Sequence, residues 1–404
     1  MSTIRLIYII LHIFEIWMLY IAGKKMSKTT TNKAYWKASL WAIIPYIIVL
    51  GLRFGHNIDW NHYYNRYMEM EKMDWSTSEP LYHLTFYIFN TLGIPYSLFI
   101  SLQVAFFMFS FLLIAKYFRH HLNYVLFLLP VVAISNDNYI RWYWGVSFFL
   151  VSYYFFLSNN KKRYSYTLFY FILAVLVHNG TILLALLFPA STFLAKKCIP
   201  VKISTIAVFV SVFFLSISIM SFLSDIATVL YLYMDTSSVD SQISHYLTKV
   251  DRITSEGLSD TTGIKQYGLT TKISLFLSYL PIITYGPRIL SKFKYGMLFY
   301  NIFVIGAFIH PFFSTVEIFD RYSKMLLIFQ AIVAGIVYYT ILKSKNKSLF
   351  IKSFCLASLL CCFLPFIKYS ALQKQDFKMM YIWDAGKKKY IDTELYINDM
   401  LKNR

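Results

Sequence analysis

Charge is what this chain of 404 residues has least of: Asp, Glu, Lys and Arg make up 15% of it, against about 25% in soluble domains. Acidic side chains are the scarcer sign, 20 against 39 basic ones. Cysteine is confined to Cys198, Cys355, Cys361 and Cys362, all in or beside apolar runs. That excludes a disulfide-held scaffold and leaves the four as packing residues. Fourteen glycines exclude a collagen-like repeat, and a composition that is 57% hydrophobic and 20% aromatic excludes disorder. The chain has no glycine-rich phosphate loop, no Cys/His spacing suited to a metal, no internal repeat and no nucleophile motif.

What is present is a succession of mostly apolar runs, several approaching the roughly 20 residues that a helix needs to cross a bilayer. Twelve are expected, at 4–22, 38–52, 96–118, 122–135, 141–158, 165–178, 180–195, 203–222, 271–287, 295–313, 325–342 and 349–367. The predicted fold class is therefore all-α: a polytopic integral membrane protein of about twelve transmembrane helices, with outer-face loops and interfacial helices. Residues 1–367 form one membrane domain and 368–404 a tail. The short pair flanking Asn179 must be tilted or broken. The stretch Glu79–Gly93 is apolar but too short to span, so it should lie along the interface.

The loops carry an orientation signal, because cytoplasmic connections are enriched in Lys and Arg. Alternate connections hold Lys24, Lys25, Lys28, Lys33 and Lys37; Lys116 and Arg119; Lys161, Lys162 and Arg163; Lys196, Lys197 and Lys202; Arg288, Lys292 and Lys294; and Lys343, Lys345, Lys347 and Lys352. None of these loops contains Asp or Glu. They are assigned to the cytoplasm, which sends nearly all the acidic residues outward and leaves Glu15 inside the first span. An even number of spans puts both termini outward. The first run is expected to stay in place, because no small-residue cleavage site follows it and Lys24–Lys25 reads as a stop. A formal charge of +19 would suit nucleic acid only if it formed a patch on a soluble domain. Here the cations sit in short juxtamembrane loops, where anionic lipid meets them. His120 and His121 read as a solvated edge.

The outward face comprises residues 53–95, the loop 136–141, the turn at 178–180, the loop 223–270, the loop 310–324 and the tail. It begins with Arg53-x-Gly55-x-x-x-Asp59-x-x-x-Tyr63, followed by Glu79-Pro80, Arg141 at the start of an apolar run, His178 before an Asn179-Gly180 turn, and Arg321. In that order, over about 45–195 and again at 317–335, these residues resemble the EpsG-like polysaccharide polymerases, relatives of the Wzy-type O-antigen polymerases. Asn57 and Trp142 depart from the family pattern.

The resemblance implies a glycosyltransferase in the bacterial inner membrane. It would move a growing glycan from undecaprenyl pyrophosphate to the next lipid-linked repeat unit, without metal or cofactor. Arg53, Arg141 and Arg321 would bind the pyrophosphate, since a guanidinium grips phosphate oxygens bidentately and stays ionised. His178 or Asp59 would take the acceptor proton. Trp60, Tyr63 and Glu79 would contact sugar. The implied partners are the lipid-linked oligosaccharide, membrane lipid and a chain-length regulator protein, with no nucleic acid.

Each residue also has a purely structural reading. Arginines at helix ends snorkel to lipid phosphate, Arg321 has Glu317 one helical turn before it, and Asp59 can serve as the partner of Arg53. The loop 223–270 reads as a lid, an acceptor-selecting loop or a plain connector. A ligase would use the same residues on a different acceptor. A lipid-linked oligosaccharide flippase would need paired halves around a central cavity, and a membrane O-acyltransferase would need longer cytoplasmic loops; neither pattern is present in the sequence.

Overall fold

A computed structural model describes residues 3–54, 58–70, 73, 77, 79–134, 139–214, 268–314, 317–367 and 380–381. The loop 223–270 lies almost wholly outside them, as do Asp137 and the tail apart from Met380–Tyr381. The described chain is helical. Helix α1 (Thr3–Ser27) runs into Lys24 and Lys25. Helix α2 (Asn32–Tyr46) is opened by Thr31, whose hydroxyl accepts the Ala34 N–H at 3.2 Å. It continues as a π turn, Ile47–Gly51. After the short segment β1 (Arg53–Phe54) come α3 (Ile58–Met68) and α4 (Pro80–Thr91). Pro80 occupies the first turn of α4, where its missing N–H is no loss.

Helices α5 (Tyr96–Ala115) and α6 (Leu122–Val132) are joined through a 3₁₀ segment kinked at Phe118. Then follow α7 (Ile140–Leu157), α8 (Arg163–Val177), a 3₁₀ segment Asn179–Leu186 with α9 (Leu187–Leu194), and α10 (Val201–Phe214). The last helices are α11 (Leu269–Leu290), α12 (Gly296–Phe313), α13 (Glu317–Lys343) and α14 (Leu349–Ile367).

Each of the twelve expected runs coincides at least in part with a helix, yet seven helical stretches among the described residues are long and apolar enough to cross a membrane. That supports a polytopic membrane protein but not the exact count of twelve, and the difference has three sources. Two runs merge into one bent stretch, Tyr96–Val132. The segments 163–177 and 179–194 are apolar but short, and the run 203–222 is described only as far as Phe214. Helix α7 has the length, but Arg141 and its Trp, Tyr and Ser residues leave it less apolar than the seven.

Proline stands inside α2, α6, α11, α12 and α14, a pattern that membrane helices tolerate because neighbours re-satisfy the freed carbonyls. Leu6, Ile10, Ile13, Phe14 and Trp17 are exposed along α1, and Leu349, Phe350, Leu356, Leu360 and Leu364 along α14. Lipid satisfies such apolar surfaces; water does not. The protein is thus a membrane-embedded helical bundle.

Helix α13 is its axis, packed against α6, α11, α12 and α14. Residues 331–334, 336–338 and 341 are all buried. At Gly335 an added Cβ would lie 2.6 Å from the Val125 backbone nitrogen, so only glycine lets α13 and α6 cross this closely.

The cationic loops gather at one end. Arg119 donates to the Thr30 carbonyl at 3.5 Å, and Tyr295 donates to the carbonyl of Leu157 while its ring meets that of Tyr117, 5.0 Å between centroids. His121 belongs to the packing there. Its ring is edge-on to Phe293 and Tyr339, which corrects the solvated-edge reading for His121, while His120 is exposed. At the other end Arg53–Phe54 pairs antiparallel with Met380–Tyr381, so part of the tail returns to the point where the chain leaves the π turn.

Replacing Gly335 with Val should destabilise the bundle by about 1–3 kcal/mol or more, through overpacking against α6. Gly268→Ala meets open space and should be silent. Thermal unfolding of both variants in detergent checks the contrast.

Candidate functional site

The end opposite the cationic loops is organised around one carboxylate. Glu79 sits immediately before α4 and is 4% exposed. One of its oxygens, Oε2, accepts from Arg141 Nη1 in the first turn of α7. The other, Oε1, meets His178 Nδ1 at the end of α8 and also accepts the Asn179 N–H at 3.2 Å. Burial pushes the Glu79 pKa up. The His178 hydrogen bond, the Arg141 and His178 charges and the Asn179 N–H pull the other way and prevail, so the carboxyl rests below its ordinary value.

This pairing fixes the tautomer of the histidine. With an ionised carboxylate at Nδ1, that nitrogen carries the proton and Nε2 keeps its lone pair. The ring is held by stacking edge-on to Trp142, 5.4 Å between centroids. Trp142 in turn packs on Tyr322 at 5.1 Å, and the Tyr322 hydroxyl donates to the Gly180 carbonyl at 2.9 Å. Gly145 makes room for this arrangement on α7. A Cβ there would stand 2.8 Å from Thr181 Cγ2 and 3.1 Å from His178 Cβ.

The guanidinium of Arg141 lies over two rings, 5.3 Å from the centroid of Tyr63 and 5.7 Å from that of Tyr82. Cation–π attraction and the Glu79 pair therefore hold its plane from two sides. Arg321 on α13 acts electrostatically on both Arg141 and His178, and its guanidinium lies 4.9 Å from the ring centroid of Tyr139. Lys324 approaches the same ring at 4.9 Å. The Tyr139 hydroxyl donates to Asp320 Oδ2 at 3.3 Å, and Lys324 Nζ is 2.6 Å from that oxygen. Asp320 thus fastens the start of α7, which carries Arg141, to the start of α13, which carries Arg321. His310 joins this second cluster through Ser323 at 2.9 Å.

The structure therefore brings together Glu79, Arg141, His178, Arg321 and Tyr63. Arg53 stands apart from them, fully buried against α5 and α7. Trp60 is fully buried too, stacked on Tyr64 and edge-on to Tyr96. Asp59 lies on α3, one turn before Tyr63; its side chain, like that of Glu317, is outside the described residues. Sequence reasoning missed Tyr82, Tyr139, Asp320 and Tyr322. Only Tyr82 left a local signal, three residues after Glu79 on the first turn of α4.

A family model described as the EpsG family matches residues 37–382, most of the chain. The chain belongs to the EpsG family. That membership makes it a polysaccharide polymerase-like membrane protein, and the site residues from Tyr63 to Arg321 all lie inside the match. No curated protein and no solved structure matches this EpsG-family chain.

A depressed carboxyl pKa has a signed consequence for stability. The contribution of the Glu79 cluster is fully present above the ordinary carboxyl value of 4.5 and is lost as pH falls through the lower folded value. In detergent, Glu79→Gln should lower Tm at neutral pH and flatten the acid limb of Tm against pH. A variant with the wild-type acid limb would show that Glu79 is not the titrating group.

Proposed function

We propose that this protein polymerises an extracytoplasmic polysaccharide by moving a glycan from its polyprenyl pyrophosphate carrier onto a hydroxyl of the next lipid-linked repeat unit. The observation that carries the reading is the Glu79 carboxylate shared between His178 and Arg141. It pairs a base with a cation at one end of a membrane bundle, and family membership supplies the class of substrate.

In the proposed step the acceptor oxygen bonds to the anomeric carbon, and the bond from that carbon to the pyrophosphate oxygen breaks. The acceptor proton passes to His178 Nε2, while Glu79 holds Nδ1–H in place and stabilises the imidazolium that forms. The carrier leaves as an anion. Arg141, which retains N–H groups beyond the one given to Glu79, and Arg321 stabilise its developing charge. A pyrophosphate leaves readily with cations alone, so the step runs without a metal. Tyr63 and Tyr82 align Arg141, and Asp320 with Tyr139 sets the spacing of the two arginines. The positive-inside rule puts the cationic loop end in the cytoplasm and the Glu79 end outside.

Two experiments test this. Cysteines introduced at Asn61 and Ser255 should react with an impermeant thiol reagent in intact spheroplasts, while one at Ser344 should not; inverted labelling would put the cluster on the wrong side for polymer assembly. In purified protein given lipid-linked repeat units, His178→Ala should lower turnover by roughly 10²–10⁴-fold with binding largely kept. Arg141→Lys should lose most polymer although the charge remains, because an ammonium cannot replace the fork. Normal polymer from His178→Ala alongside a dead, substrate-binding Asp59→Asn would transfer the base role to Asp59.

A further inference from the structure

Helix α3 carries two side chains, one cationic and one imidazole, that the Glu79 cluster leaves unused. Its buried face is aromatic: Trp60, Tyr63 and Tyr67 recur at a spacing of three and four residues. Tyr67 pins the helix, its hydroxyl donating to the Ile94 carbonyl at 2.5 Å while its own carbonyl accepts from Asn90 Nδ2. His62 and Arg66 stand four residues apart, His62 exposed and Arg66 half-buried, so one helical turn brings them side by side. Among the described residues neither has an ion pair or a hydrogen bond, and Glu69, one turn beyond Arg66, pairs with neither. The ring of His62 meets that of Tyr63, 5.5 Å between centroids, and Tyr63 is one of the two rings over which Arg141 lies. Partial burial and the Arg66 and Arg141 charges hold the His62 pKa below its ordinary 6.5. The imidazole between these two cations is therefore neutral at pH 7 and has one N–H to donate.

We infer that His62 and Arg66 form a second pyrophosphate subsite, which holds the carrier of the acceptor repeat unit while Arg141 and Arg321 hold that of the donor. The assignment rests on the transfer proposed for the Glu79 cluster and adds what that cluster cannot supply. Both substrates of such a transfer are lipid-linked, so two pyrophosphates must stand at the same end of the bundle at once. Two such anions on one set of cations would repel each other, and separate donors on a neighbouring helix remove the conflict. An arginine fork beside an imidazole N–H matches the oxygens of a pyrophosphate. Helix α3 is amphipathic, and an amphipathic helix at the end of a membrane bundle lies at headgroup depth, where a polyprenyl pyrophosphate presents its charge. Position separates acceptor from donor. Arg141 is tied to the base through Glu79, whereas among the described residues His62 and Arg66 bond to neither Glu79 nor His178. An anion on α3 is therefore set apart from the bond that breaks, as the acceptor's carrier must be, because its pyrophosphate does not leave.

The full chain in detergent is titrated calorimetrically with farnesyl pyrophosphate, a short-chain polyprenyl pyrophosphate. Wild type should take up two equivalents and Arg66→Gln one, and the variant should melt like wild type because it breaks no internal bond. Arg66→Lys keeps the charge without the fork, so its second equivalent should bind about tenfold more weakly. The equivalent that Arg66→Gln retains should be the one that Arg141→Lys weakens. Given lipid-linked repeat units, Arg66→Gln should raise the half-saturating concentration by about tenfold, more than it lowers the maximal rate. One equivalent in wild type, or two in Arg66→Gln, would overturn the acceptor subsite and leave the transfer reading standing. Two equivalents with an Arg66-dependent second, but no polymer from wild type, would support the pyrophosphate site and overturn the transfer. Arg66-dependent binding of an oligoglucuronate in place of farnesyl pyrophosphate would assign α3 to an acidic sugar and overturn the subsite.

Discussion

The geometry of the end opposite the cationic loops depends on a single buried carboxylate that two partners share. Glu79 has four lone-pair directions, and His178, Arg141 and the Asn179 N–H take three of them. A carboxylate so placed cannot be removed without stranding an arginine and freeing a histidine in a poorly solvated site, a loss on the order of 3–5 kcal/mol. The same contacts decide chemistry. They hold Arg141 in one plane and give His178 the tautomer in which Nε2 keeps its lone pair. Stability and the proposed function therefore rest on one constraint.

That constraint works only because the helices around it are fixed. The tight packing of α7 on α8, permitted by Gly145, brings the end of α8 to the start of α7. Trp142 and Tyr322 then connect His178 to α13, and Tyr139 with Asp320 connects Arg141 to the same helix. Helix α13 is the most deeply packed element, so both catalytic arms of the proposal are referenced to the rigid axis of the bundle. Aromatic rings do much of this work. They offer large contact area with few rotatable bonds, which suits a site where small misplacements carry a large kinetic penalty.

Much of this was legible in the sequence, and what was not has physical causes. Apolar runs and loop cations report local free energies of transfer, so the membrane class and the segregation of cationic loops at one end could be read directly. Span number could not, because a kink such as that at Phe118 and shortened helices such as Arg163–Val177 depend on neighbours. The order Arg53, Glu79, Arg141, His178 and Arg321 marked a shared face, but not who pairs with whom. Glu79 is 62 residues from Arg141 and 99 from His178, and nothing in either local stretch encodes that separation. Arg53 and Arg141 look alike as helix-end arginines, yet one is wholly buried against α5 and α7 and the other meets two tyrosines and a carboxylate. Burial distinguishes them, and burial is a property of the assembled helices.

Counting charge shows why a site built of ion pairs still suits an anionic leaving group. Among the described residues, Glu79 and Asp320 contribute two negative charges, against three positive ones from Arg141, Arg321 and Lys324. The described part of the cluster is thus positive by one with His178 neutral. A fully compensated cluster would bind pyrophosphate weakly; a wholly uncompensated one would not fold. In the proposed transfer His178 gains the acceptor proton as the glycosidic bond to the carrier breaks, so the cluster becomes positive by two when the leaving pyrophosphate gains its extra negative charge. Base catalysis and leaving-group stabilisation then reinforce one another through Glu79, which touches both the histidine and the arginine. Product release reverses the sequence: once the imidazolium gives up its proton to solvent, the excess positive charge falls back to one and the hold on the departing carrier weakens.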